Sequence, residues 1–270
     1  RLGSPCLLLQ ILSLQSLSPI MNHPIVNLSG ERLDYAFHPG APGSKHVVVI
    51  GHGVTGHKDR PLLIALAEGL SAAGINVLRH SWSGNGESEG NFAESNITKE
   101  VADLGAILTA LTAEGYTIAY AGHSMGGAVG VRRAVIDQRI RLLISLAGIV
   151  HTAEFAEHAF GHLEPGEGLM FDKPGLVLPA AYMADLRGIE TVLDDTSRVT
   201  VPWLLVHGTE DDLVPLQHSL DAYSHAITEK KLVEIPGADH LFEPDQTATA
   251  VKAVVDWCRE QFAQMRPTAE

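Results

Sequence analysis

Serine chemistry needs a hydroxyl held proud of the fold, a base to take its proton and donors for the charge that develops. Gly122-His123-Ser124-Met125-Gly126 can supply the first of these. It follows the β-prone run Tyr116–Tyr120 and leads into Ala128–Ile136, which can continue as a helix. A serine between two such glycines, at a strand-to-helix turn, fits a nucleophile elbow. The turn is so sharp that bulky neighbours two residues away would clash, and the new helix aims its N-terminal N–H groups at the same point. A second Gly-x-Ser-x-Gly match, Gly86-Glu87-Ser88-Glu89-Gly90, competes with it. Ser83-Gly84-Asn85 separate that match from the preceding apolar run, and no helix-forming run follows. Two glutamates flank Ser88 and would repel an oxyanion, so this stretch reads as a loop and Ser124 as the nucleophile.

The base and its orienter have to stand on the same sheet edge as the serine. Pro202–Val206 reads as a buried strand running into His207-Gly208-Thr209-Glu210-Asp211-Asp212. Lys231–Ile235 reads as another, followed by Pro236-Gly237-Ala238-Asp239-His240. An acid and a histidine just beyond these strands can both reach Ser124. Residue type alone leaves Glu210, Asp211 and Asp212 open as the acid.

With these motifs, and with Gly51-His52-Gly53-Val54-Thr55-Gly56 after an earlier apolar run, the chain resembles the α/β-hydrolase superfamily over about residues 24–262. Within it, the chain looks most like small-lid serine esterases of the cinnamoyl/feruloyl esterase and monoacylglycerol lipase type. The order Ser, Asp, His matches that superfamily. The resemblance implies Ser124 as nucleophile, Asp211 as orienting acid and His240 as base. It implies the backbone N–H groups of Val54 and Met125 as the oxyanion hole. One position departs from many relatives: Ser81 stands where they carry an aspartate, in Arg79-His80-Ser81-Trp82-Ser83-Gly84. That puts the hydrogen bonding of this loop in question, but not the triad.

Composition sets the class. A chain of 270 residues with 45% apolar content can bury one large α/β core. A net charge of −13 without a basic cluster argues against nucleic acid and anionic membrane surfaces as partners. Two cysteines, Cys6 and Cys258, make no disulfide framework. Residues 1–20 are rich in Leu, Ser and Gln and precede Met21. Their apolar stretch falls short of the ~20 residues a membrane span needs. They are expected to be an N-terminal extension outside the fold, and the protein is expected to be cytoplasmic, or secreted if the extension belongs to a signal segment.

From Met21 onward, strands alternate with helices, as in a doubly wound, mostly parallel sheet. Ile25–Leu28 and Arg32–Phe37 suggest an antiparallel pair turning at Ser29-Gly30. His46–Ile50, Ile75–Arg79 and Leu142–Leu146 read as strands, and Pro61–Ala73, Thr98–Ala113, Pro215–Ala226 and Thr247–Phe262 as helices. The core is expected to comprise residues 21–148 and 199–270. Residues 149–198 are too long for a single connection and read as an inserted lid over the elbow. Phe160, Met170 and Tyr182 are its candidates for touching substrate. His158 and His162, four apart with Glu154 and Glu157 nearby, fit a solvated helix face better than a metal site, because spacing fixes no third ligand. His52 and His207 read as hydrogen-bonded supports, and His123 as a residue pointing away from the Ser124 hydroxyl.

The expected activity is that of a serine carboxylesterase acting on small or aromatic esters, hydroxycinnamates among them, through an acyl-enzyme. No cofactor, metal, nucleic acid or stable membrane anchor is called for, and the expected partner is a small-molecule ester. A monoacylglycerol lipase, thioesterase or aminopeptidase is the alternative within the class. A non-catalytic binding protein is the alternative outside it.

Overall fold

Seven strands and eight helices form among residues 23–243 and 245–265, the residues described by this computed structural model. Residues 1–20, including Cys6, lie outside them. The strands are β1 (Tyr35–His38), β2 (His46–Gly51), β3 (Asn76–His80), β4 (Thr117–His123), β5 (Ile140–Leu146), β6 (Trp203–Gly208) and β7 (Lys230–Ile235). They join in the order β1-β3-β2-β4-β5-β6-β7. Every pair is parallel except β1 with β3. Right-handed crossovers need helices on both faces, which is why the central strands are apolar on both sides. Val47 and Val49 of β2 and Ile118 and Tyr120 of β4 enter one core. Val48, Ile50, Ala119 and Ala121, alternating with them, enter the other.

The helices are α1 (Pro61–Ala72), α2 (Ile97–Ala113), α3 (Met125–Ile136), α4 (Thr152–Phe160), α5 (Ala180–Ile189), α6 (Leu193–Thr196), α7 (Gln217–His225) and α8 (Thr247–Gln264). Their starts follow local chemistry. Pro61 opens α1 at a position where its missing N–H costs nothing. The Asn96 side chain accepts from Lys99 N and caps α2. No helix among the described residues is long and apolar enough to cross a membrane.

The N-terminal antiparallel pair shortens to a single bridge, Val26 to Arg32, and regular strand begins only at Tyr35. Asn27 accounts for the difference. Its Oδ1 accepts from both Ser29 N and Glu31 N, and its Nδ2 donates to Asp103 Oδ1 at 2.8 Å. A side chain that closes its own turn competes with a strand ladder.

Between β5 and β6 the insertion carries α4, a short 3₁₀ turn at Met170–Asp172, α5 and α6. It is anchored by apolar burial. Phe155, Phe160, Met170, Leu178, Tyr182, Met183 and Leu186 join the same core as β2 and β4. Asp185 also accepts from Thr98 N and Thr98 Oγ1 at the start of α2.

Candidate active site

All three candidate triad residues stand beyond the carboxyl ends of strands, the edge where open α/β sheets bind ligands. Ser124 directly follows β4, Asp211 lies three residues past β6, and His240 five past β7. Ser124 has φ 57° and ψ −120°, a backbone conformation that a side chain rarely adopts. It is held by Ser124 N donating to Leu146 O and by Ser124 O accepting from Gly127 N and Ile149 N. The flanking glycines leave room for the turn: a Cβ on Gly122 would lie 2.1 Å from Gly126 O. A backbone carbonyl cannot yield that distance cheaply. Gly122→Ala is therefore expected to cost about 3 kcal/mol or more. Urea denaturation reads this directly, and an unchanged midpoint would mean that the elbow relaxes.

Ser88 is placed differently. Its hydroxyl donates to Ser81 O and accepts from Asp34 N, both at 2.8 Å. Ser81 itself accepts from Lys58 N at 3.0 Å. The serine at the departing position thus ties the loop after β3 to the segment leading into α1.

Asp211 faces His240. His240 Nδ1 donates to Asp211 Oδ2 at 2.8 Å, while Asp211 Oδ1 accepts from Leu213 N and Val214 N. His207 adds to the cage: its Nε2 lies 2.8 Å from Val214 O and 3.3 Å from Asp211 Oδ2, and its Nδ1 accepts from Ser219 Oγ. Burial pushes the Asp211 pKa up. The hydrogen bonds from His207 and His240 and the Val214 amide more than reverse that, holding the carboxyl well below the usual carboxylate range. Asp212 and Glu210 line the neighbouring cavity and make no such contact with His240. Among the described residues no hydrogen bond joins Ser124 Oγ to His240, though both line one cavity. Such bonds are often loose until substrate is bound.

The loop after β2 presses against the serine. A Cβ on Gly53 would sit 2.7 Å from Ser124 Cβ and 3.1 Å from its Oγ. Val54, next in this loop, lines the cavity, and Met125 begins α3. Among the described residues neither of their amides has a backbone hydrogen-bond partner outside regular structure. His52 fixes the loop: its Nδ1 donates to Gly53 O at 2.7 Å and its Nε2 accepts from Trp82 N. Burial lowers its pKa to about 3, so it stays neutral.

The His123 ring turns to the candidate base. It lines the cavity, stacks obliquely 4.9 Å from the His240 ring and donates from Nε2 to His240 O at 2.9 Å. Burial lowers its pKa to about 3, and the His240 charge adds to this. A neutral His123 thus holds the backbone of the candidate base.

The Hydrolase_4 family model, described as serine aminopeptidase, S33, matches residues 42–172 and 174–246. The chain belongs to this family of α/β-hydrolases. The hydrolase is similar to Est1E from Butyrivibrio proteoclasticus in a structure with ferulic acid bound. The two are 27% identical with a TM-score of 0.78, over 88% of this chain and 99% of that one. A monoacylglycerol lipase from Paleococcus ferrophilus shares the fold at 22% identity and a TM-score of 0.68, over 84% of this chain and 98% of that one. Among curated relatives, Escherichia coli O157:H7 YfhR is 26% identical, over 78% of this chain and 70% of YfhR. Mouse palmitoyl-protein thioesterase ABHD10 is 28% identical over 61% of this chain, which spans 58% of that protein's length. The hydrolase is thus esterase- and lipase-like in family and fold.

The cavity of this α/β-hydrolase holds about 580 Å³, within the range of small-molecule sites. Its walls correct the expectation for the insertion. Phe160, Met170 and Tyr182 are buried in the core and are not among its lining residues. Phe160 packs against Phe155 and Phe171, and Tyr182 Oη donates to Met125 Sδ at 3.0 Å. Phe171 and Lys173 line the cavity instead. Phe171 and Asp172 both have positive φ, 51° and 55°, and this left-handed kink leaves Phe171 38% exposed at the wall. His158 and His162 do not pair as ligands: His158 Nε2 donates to Asp212 O, and Glu157 pairs with Arg187. Among the described residues no cluster of three or more His, Cys, Asp or Glu is grouped to hold a metal ion.

Proposed function

We propose that this α/β-hydrolase is a serine carboxylesterase for small or aromatic esters, hydroxycinnamates among them. One observation carries the reading: an Asp211–His240 hydrogen bond whose histidine lines the cavity that also contains the strained Ser124. Because Nδ1 faces the carboxylate, it keeps the proton and Nε2 keeps the lone pair. His240 Nε2 takes the Ser124 proton as Oγ bonds to the ester carbonyl carbon. The tetrahedral oxyanion accepts from the N–H groups of Val54 and Met125. Collapse breaks the C–O bond to the alcohol, and His240 returns its proton to that oxygen. Water, deprotonated by His240, then releases the acid and restores Ser124.

The 149–198 insertion acts as a lid, with Phe171 as its aromatic contact to substrate. The likeness to Est1E supports an aromatic acyl group. A panel of 4-nitrophenyl acetate, methyl ferulate, an acyl thioester and an aminoacyl anilide tests the reading. The esters should be turned over far faster than the anilide. Phe171→Ala should raise KM for methyl ferulate by roughly three- to tenfold, as the loss of a buried aromatic contact would, and change acetate hydrolysis less. Faster turnover of the anilide or thioester than of every ester would replace the ester reading.

A further inference from the structure

The cavity wall is charged in a way that ester cleavage alone does not require. Arg60 and Lys173 come from different parts of the chain, the start of α1 and the insertion, yet both converge on Thr55. Arg60 Nη2 donates to Thr55 O and Lys173 Nζ donates to Thr55 Oγ1, each at 3.2 Å. Among the described residues neither forms an ion pair with a carboxylate. In a chain with a net charge of −13, two converging cations without acidic partners are unusual. Burial and then the Arg60 charge lower the Lys173 pKa, as expected of like charges brought together. Thr55 directly follows Val54, so this cationic corner adjoins the proposed oxyanion hole. The first turn of α1 beside it contains no acidic residue.

Acids line the same cavity elsewhere: Glu210 and Asp212 after β6, Asp239 and Glu243 after β7. They leave the two cations unneutralised and would repel a dianion more strongly than a monoanion.

We propose that Arg60 and Lys173 bind a carboxylate on the substrate, so that the preferred ester carries a single negative charge away from its scissile bond. Half-esters of dicarboxylic acids and esters of carboxylated phenols are the classes that fit. The guanidinium can take both carboxylate oxygens, and the ammonium supplies a point charge from the insertion side. This specificity rests on the serine esterase reading, but the binding site does not.

The test compares each charged ester with a neutral isostere. On the acyl side, 4-nitrophenyl hydrogen succinate, glutarate and adipate are set against 4-nitrophenyl esters of neutral acids of equal length. On the alcohol side, the butyrate ester of 4-hydroxybenzoate is set against phenyl butyrate. On at least one side the charged ester should have the higher kcat/KM, and added salt should shrink the preference. Lys173→Glu and Arg60→Gln should each lower the charged-to-neutral ratio by about tenfold, because a reversed or deleted charge acts on only one member of the pair. A binding arm needs no turnover. Monomethyl glutarate, a monoanion that Ser124→Ala should not cleave, should raise the thermal midpoint of Ser124→Ala but not that of Ser124→Ala/Lys173→Glu. No hydrolysis of any ester, with the monomethyl glutarate shift intact, would sink the esterase reading and leave the carboxylate site standing. Ratios that both substitutions leave unchanged, with no monomethyl glutarate shift, would overturn the carboxylate site.

Discussion

Ser124→Ala is expected to lower ester hydrolysis by about 10⁴-fold or more, as removal of a triad nucleophile does. The fold should survive, since alanine keeps the Cβ and the backbone bonds from Ser124 to Leu146, Gly127 and Ile149 involve no side chain. Ser88→Ala makes the contrast. It removes hydrogen bonds to Ser81 and Asp34, so it should lower stability by about 1 kcal/mol with little effect on turnover. Two Gly-x-Ser-x-Gly pentapeptides thus receive opposite expectations, one for rate and one for stability. Circular dichroism and kcat/KM on both variants separate them. Loss of activity in Ser88→Ala with activity retained in Ser124→Ala would contradict the assignment.

Asp211→Asn is expected to slow turnover by about 10³- to 10⁴-fold. The amide can present its NH₂ to His240 Nδ1, which would move the ring proton to Nε2 and remove the lone pair needed at Ser124. Asp212→Asn should change little, because the contact from the insertion, His158 Nε2, is to the Asp212 backbone carbonyl. The reverse ranking would move the acid one residue along the chain. Asp211 also links activity to stability. Its folded-state pKa lies below the unfolded value, so its contribution to stability is fully present above about pH 4 and fades as pH falls toward the folded-state value. The difference in thermal midpoint between wild type and Asp211→Asn should therefore be largest near neutral pH and narrow on acidification. A difference that widens below pH 4 would mean that the carboxylate is not stabilised in the fold.

The sheet and the candidate triad positions were legible because they depend on signals that a linear chain carries. Short apolar runs alternate with helical periodicity, and the chemistry-bearing residues follow strand ends. The register of β4 and β5 places Gly122 opposite Ser145, a detail the elbow's residue types anticipate but cannot state. Adjacent acids were harder. Asp211 and Asp212 differ only in which one the turn after β6 directs at His240, and that depends on Leu213 N and Val214 N closing on Asp211 Oδ1.

The insertion resisted reading for a different reason. Phe160, Met170 and Tyr182 have the residue types of a substrate pocket and equally those of an anchor, and hydrophobicity does not distinguish the two. What turns Phe171 to the wall is a pair of left-handed residues, Phe171 and Asp172, that neither glycine nor asparagine announces. His123 was similarly opaque: its partner, the His240 carbonyl, lies 117 residues away. Lys173 carried no signal at all, because a lone lysine in an insertion normally faces solvent, and only the fold brings it to Thr55 and Arg60.

A fluorophosphonate probe asks whether Ser124 is the residue that becomes acylated. The native enzyme should take up one equivalent, and peptide mapping should place the adduct on Ser124 within Ala121–Arg132. His240→Ala should label far more slowly. Absence of labelling in the folded enzyme, or an adduct on Ser88 or any residue other than Ser124, would mean that Ser124 is not the nucleophile.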